Sequence, residues 1–312
     1  MRRISTLFVS GLLLLACFYW VDWSSIVTRL LRLDVAWVAL GVLAGAPLVM
    51  LSAARWMFTS AQVGSPLPFR TAVAEYYRSF LLNQVLPFGI LGDVIRAGRQ
   101  AVSTESEREG GIRRAALSVG LERASGQMVL FLLLLFSAPL WWSGGQPSPS
   151  FAGATSSMFL IAAGGLLVGL LLAVFGRGLY RRWLSEQTRE EVRAALLSPS
   201  ALLLHVGLSS AVLFVLLIQF FLICRAMGLI LGWEAILLLA LPMLAASALP
   251  FTMSGWGARE AAAAAVFSAA EFSSADGIAV GVAFGVLQLL SAAPALVFFA
   301  FPSLGRPAKV QG

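Results

Sequence analysis

Six stretches of this chain are long and apolar enough to cross a lipid bilayer, at about residues 7–23, 35–55, 115–140, 155–175, 202–224 and 278–301. A spanning helix needs about 20 mostly apolar residues. Hydrocarbon offers no hydrogen-bond partners, so each stretch must satisfy its own backbone as a helix. The polar loops between them are too short to form a separate soluble domain. Charged residues make up 12% of the chain, against about 25% in a soluble domain. The expected fold is an all-α polytopic membrane protein, a single membrane domain over 1–312. The formal net charge is +7. Because the arginines sit in short loops beside apolar runs, this charge points to the cytoplasmic face and anionic headgroups, and not to nucleic acid.

Two further stretches, about 71–98 and 235–271, are too interrupted to be simple spans, and they share a phrase. Leu86-Pro87-Phe88 leads on to Gly92 and Arg96, and Leu249-Pro250-Phe251 leads on to Gly255 and Arg259, 163 residues later. Proline removes a backbone donor and glycine loosens a helix, so a helix entering either phrase is expected to break. Paired Gly/Pro-broken segments in corresponding halves point to a transporter-type binding site. Pro87 and Pro250 are the expected hinges. Pro87, Gly89, Pro250, Gly255 and Gly257 are expected to open backbone groups toward that site, and Gly92, Gly255 and Gly257 to line it as substrate-binding positions.

Charge asymmetry sets the topology. With the N-terminus inside, fifteen of the 22 Lys/Arg fall at the N-terminus, in the loops 55–70, 99–114 and 177–193, and in the C-terminal tail. Arg29, Arg32 and Arg225 fall outside, while Arg78, Arg96, Arg123 and Arg259 are embedded. Such a bias places both termini in the cytoplasm. Trp20, Trp23, Trp37, Trp56, Trp141, Trp142 and Trp233 lie at expected span ends, as an aromatic belt requires. The stretch 71–98 must then enter and leave on one side, and 235–271 on the other. Each half reads as span, span, re-entrant hairpin, span, over about 1–140 and 154–302. An odd number of spans per half inverts the second half against the first. About six transmembrane helices and two re-entrant broken-helix hairpins result. The mixed-charge segment 177–195 reads either as an amphipathic surface helix or as a solvated linker.

An ionised side chain at the bilayer centre costs at least about 2.5–3.5 kcal/mol and needs a partner or a task. Arg96 and Arg259 are the leading candidates. A guanidinium grips phosphate through two parallel hydrogen bonds, and helices starting after the breaks would aim their first amides at an anion. The competing reading is internal pairing, Arg96 with Asp93 and Arg259 with Glu260. Glu122, on one helix face with Ser118 and Ser125, is either a charge-balancing or proton-carrying group or a structural partner for an arginine. Asp93 and Glu260 share that charge-balancing assignment. Asn83 either donates to a headgroup or satisfies opened backbone. Glu75 and Arg78, at i and i+3, read as an interfacial ion pair.

No catalytic constellation, metal cluster or cofactor motif stands out. His205 is the only histidine and reads as a packed or interfacial residue. Cys17 and Cys224 read as small core residues. Met1-Arg2-Arg3 and the apolar run after it resemble a signal peptide, but bulky Phe18, Tyr19 and Trp20 favour a first spanning helix.

These residues resemble the lysylphosphatidylglycerol synthase transmembrane region, also called flippase-like domain proteins. The resemblance rests on Asn83-Gln84-Val85-Leu86-Pro87 continuing to Gly92-Asp93-Val94-Ile95-Arg96-Ala97, on Leu121-Glu122-Arg123, and on Leu249-Pro250-Phe251 continuing to Ser254-Gly255-Trp256-Gly257-Ala258-Arg259-Glu260. It extends over essentially the whole chain. Asp93 stands where the family usually has Glu, and Trp256 occupies a variable position. In fused members this region is associated with moving aminoacylated phosphatidylglycerol between leaflets, beside a soluble transferase domain. The resemblance implies a stand-alone member in a bacterial inner membrane that translocates a phosphate-bearing lipid, whether a phospholipid, an aminoacylated phosphatidylglycerol or a polyprenyl-phosphate. It is expected to be neither an enzyme nor dependent on a cofactor. The alternative is a non-transporting accessory that binds lipid or scaffolds a separate synthase. The topology has a direct test. Single cysteines within 60–65 and 105–110 should be labelled from one side of the membrane, and those within 145–150 and 227–232 from the other. Any other pattern overturns the inverted arrangement.

Overall fold

The computed structural model describes residues 23–86, 89–103, 110–143, 185–248 and 254–305, and their regular structure is entirely helical. The helices are α1 Trp23–Leu31, α2 Val35–Gln62, α3 Phe69–Val85, α4 Leu91–Ser103, α5 Gly111–Ser143, α6 Glu186–Leu197, α7 Pro199–Ala226, α8 Trp233–Ser247, α9 Ala258–Ala269, α10 Ser274–Ser291 and α11 Ala295–Ala300, with a final 3₁₀ turn at Pro302–Gly305. The expected spans at 7–23 and 155–175, Cys17, and both hinge residues Pro87 and Pro250 lie outside the described residues. Among the described residues, four segments are long and apolar enough to cross a membrane: Val35–Gln62, Gly111–Ser137, Pro199–Ala226 and Ser274–Ala300. They match four of the six expected spans.

Both halves repeat one order. A 28-residue helix (α2 or α7) precedes an arm (α3 or α8), a break, a shorter arm (α4 or α9) and a long helix (α5 or α10). The chain breaks after Val85 and after Ser247, at the two L-P-F phrases. In each half the two arms pack against each other as a hairpin. α2 packs against its counterpart α7. α8 is apolar on all sides and enclosed, with Ile236 and every residue from Leu239 to Ala246 buried, as expected for a helix at the centre of a bundle.

Two sequence boundaries shift. The segment after Trp23 was expected as a loop but forms α1, and its Arg29 pairs with Asp276 at the start of α10. α2 was expected to end at Arg55 but continues to Gln62. Between Arg55 and Gly64 there is no proline or glycine, and the φ of 72° at Gly64 stops the helix. Arg55 and Trp56 thus lie within the helix, about two turns from its end, and both are buried. Trp56 is therefore not a belt residue. Trp233 is, at 55% exposure beside Phe214 and Phe221. α6 covers part of the 177–195 segment and packs on α5, α7 and α2, with Glu191 bridged to Arg113 and Arg114.

α2 approaches α10 through glycines. A Cβ on Gly45 would collide with the Cβ of Ser291, and one on Gly41 would meet Leu287 at 2.9 Å. Gly45→Ala should lower the melting temperature in detergent, by about 1–3 kcal/mol of overpacking. Gly207→Ala, where a Cβ meets nothing within 4 Å, should be neutral or stabilise by up to about 1 kcal/mol through helix propensity.

Candidate functional site

The buried carboxylate of Glu122, on α5, collects the charges of the first half. Its Oε1 accepts from Arg55 Nε (3.0 Å) and Nη2 (2.5 Å), and from the Tyr76 hydroxyl at 3.3 Å. Its Oε2 accepts from Arg96 Nη2 at 3.2 Å, and the same nitrogen lies 2.9 Å from Asp93 Oδ1. The Arg96 guanidinium also lies over the rings of Trp56 and Tyr76, 4.4 Å from each centroid. Its Nε and Nη1 have no hydrogen-bond partner among the described residues, and aromatic faces of this kind partly compensate a cation. Arg55 Nη1 donates to Ser209 Oγ on α7 at 2.7 Å. One carboxylate thus ties together α2, α3, α4 and α5, and reaches α7 through Arg55.

Asn83 and Gly92 join the arms of the first hairpin. Asn83 Oδ1 accepts from the Gly92 amide at 2.8 Å, and Asn83 Nδ2 donates to Asp93 Oδ2 at 3.0 Å. A Cβ on Gly92 would collide with the Ser79 carbonyl, so only glycine permits this approach of α4 to α3. Asp93 also receives Arg123, which in addition donates to the Gly89 carbonyl at 3.3 Å.

The second motif resolves its charge differently. Arg259 Nε and Nη2 donate to Glu260 Oε1 at 3.0 and 2.8 Å, and the guanidinium lies 4.6 Å from the Trp256 ring centroid. Glu260 Oε2 accepts from the Gly257 amide at 2.6 Å and so caps α9. The tip has positive φ at three positions, 49° at Ser254, 83° at Gly255 and 85° at Gly257. Serine rarely adopts that region, so the position is strained. Gly255 also passes so near α8 that a Cβ would lie 2.7 Å from Ser247 Cα.

Between the tips lie two adjoining cavities of about 180 and 270 Å³ with shared walls. The first is lined by Asn83, Gln84, Gly89 and Asp93 from one motif and by Ser247, Ser254 and Gly255 from the other, with Arg123 between them. The second adds Gln127, Gln288 and Arg259 to an apolar wall. Ser254 Oγ donates to Gln84 Oε1 at 2.9 Å and joins the two tips. Arg259, Asn83, Gly255 and Asp93 therefore reach the cavity. Arg96, Glu122, Gly92, Gly257 and Glu260 are not among its lining residues and serve the framework around it. The Gly92 and Gly257 amides, near the starts of α4 and α9, are already bonded to protein oxygens. Arg123, whose side chain is 37% exposed, is the first-motif cation at the cavity. Sequence reasoning placed it in the embedded set without giving it a task. Arg55 and Tyr76 were missed as well. A buried Glu122 needs more than one cation, and that demand was the available signal.

Among the described residues no group of His, Cys, Asp or Glu could hold a metal ion. His205 is buried, with Nε2 3.0 Å from the Ala195 carbonyl and its ring edge-on to Phe58. Cys224 is buried in the apolar core.

A bundle of apolar spanning helices, with two broken-helix hairpins meeting at a polar cavity, defines a polytopic α-helical membrane protein with an internal site. The chain belongs to the lysylphosphatidylglycerol synthase TM region family, whose model matches residues 4–295. No curated protein and no solved structure gives a match. The family ties the chain to membrane lipids.

Glu122→Gln should cost about 3–5 kcal/mol, because it leaves Arg55 and Arg96 buried without their shared counter-charge. Thermal unfolding in detergent should show a large drop for Glu122→Gln. Arg123→Ala should show a small one, since its pair is partly exposed.

Proposed function

We propose that this protein is a lipid translocase of a bacterial inner membrane that passes a phosphate-bearing headgroup through the cavity between the two hairpin tips. The observation that carries this reading is the charge of that cavity. Among the described residues, Arg55, Arg96 and Arg123 face only Glu122 and Asp93, which leaves one positive charge, and Arg123 presents it at the wall. Arg259 balances Glu260 but lines the same space. A phosphodiester carries one negative charge and several strong acceptor oxygens, which suit a guanidinium and the surrounding Ser and Gln groups. The acyl chains would stay in lipid. The two hairpins would be inverted repeats, entering from opposite faces with both termini cytoplasmic, and access would alternate as one half rocks against the other. No covalent step is involved. A separate lipid-modifying synthase would supply an altered headgroup where one is used.

The test is reconstitution into liposomes with a fluorescent phosphatidylglycerol, reading leaflet exchange by dithionite quenching. Wild-type protein should accelerate exchange over empty liposomes. Arg123→Ala should slow it at least about tenfold, the loss expected of a charge-assisted hydrogen bond, with little change in melting temperature. Exchange no faster than in empty liposomes would overturn translocation and favour a lipid-binding accessory of a synthase.

A further inference from the structure

A second, larger cavity of about 620 Å³ lies at one end of the bundle, away from the hairpin tips. The start of α3, the end of α4 and the chain after α10 enclose it. Leu67, Ile95, Val102 and Phe299 supply apolar walls, while Thr71, Arg78 and Arg99 supply the polar ones. Among the described residues the two guanidiniums share a single carboxylate. Arg78 Nη1 and Arg99 Nη1 both donate to Glu75, and Arg78 Nη2 donates to the Phe298 carbonyl at 2.5 Å. Both cations lie beside the Phe299 ring, at 5.9 and 5.7 Å. Among the described residues one positive charge is left over, and Arg99 carries it with 40% of its side chain exposed. The buried Thr71 hydroxyl, on the same wall, has no hydrogen-bond partner among the described residues. A buried hydroxyl without a partner is costly, and an acceptor oxygen in the cavity would satisfy it.

We propose that this cavity binds a lipid through an anionic phosphodiester headgroup at the membrane surface, as a site distinct from the central one. Arg99 would meet the phosphate, with Arg78 behind it and Thr71 donating to a phosphate oxygen. Glu75 would hold the two cations in place and, by repulsion, limit the site to a singly charged headgroup. The acyl chains would lie along Ile95, Val102 and Phe299. Free phosphate matches the cations but leaves those apolar walls unfilled, so the occupant is a lipid. The site does not depend on translocation, and a lipid-binding protein that transported nothing would carry it equally.

The test is photocapture by the full chain. A benzophenone amino acid at Val102, which is 86% exposed, would be irradiated in nanodiscs of phosphatidylcholine containing phosphatidylglycerol. A second protein would carry the same probe at Ala248, in the central cavity. Phosphatidylglycerol adducts at Val102 should exceed their share of the bilayer. Arg99→Ala should reduce them about tenfold, as expected for losing a hydrogen bond to a charged group, and Arg99→Lys should restore part of the capture. Thr71→Val should weaken capture less. Arg99→Ala should leave capture at Ala248 unchanged, which also shows that the fold survives. Adducts at Val102 that mirror the bulk composition, or that persist in Arg99→Ala, would overturn this site whatever Ala248 reports. Abolition of Val102 capture by added inorganic phosphate would overturn the assignment to a lipid.

Discussion

The first half of the bundle depends on one fully buried carboxylate. Removing a charge from water costs several kcal/mol, and the cost is recovered only with good partners. Glu122 has three: Arg55 from α2, Tyr76 from α3 and Arg96 from α4. Each of those helices is held because leaving would strand an ion in a medium that cannot solvate it. The rings of Trp56 and Tyr76 close the guanidinium faces that hydrogen bonds do not reach. The second motif uses a local solution. Arg259 pairs with the next residue along its own helix, and α10 offers glycine where α5 offers glutamate. A Cβ on Gly285 would collide with the Arg259 guanidinium. The same phrase therefore yields an ionic latch in one half and a packed, self-neutral pair in the other.

Much of this was readable from the residues. Period and length mark the four described spans, because a bilayer sets how many apolar residues a helix needs. The L-P-F phrases mark both breaks, because proline and glycine act locally and in any context. Internal pairing of Arg96 with Asp93, and of Arg259 with Glu260, was one of the two open readings; i, i+3 spacing brings the first pair together on any helix, while the second rests on two adjacent charges at the start of α9. What could not be read depends on contacts across the fold. Arg55 looks like the end of a span, and its role exists only because α5 brings Glu122 beside it, 67 residues away. Arg123 sits next to Glu122 in sequence yet faces the other way. Which of the two adjacent charges is buried and which lines the cavity follows from how α5 is rotated against α4.

This division of labour bears on how such a site could work. A carrier must bind its cargo well enough to accept it and weakly enough to release it. A phosphate held by Arg96, Arg55 and Arg123 together would gain far more than release allows. In this fold Glu122 takes up Arg55 and Arg96, and Asp93 takes part of Arg123. On the proposed function, an incoming phosphate would compete with a carboxylate already in place, and only the difference between two anions would drive binding. Asn83 fixes that carboxylate and caps α4 with the same amide group, which couples the strength of the anion site to the geometry of the hairpin. Opening the hairpin would loosen Asp93 and free Arg123 to grip more tightly, and closing it would restore the competitor. On the proposed function, affinity for the headgroup would therefore change as the arms move, which is the property alternating access requires of its site.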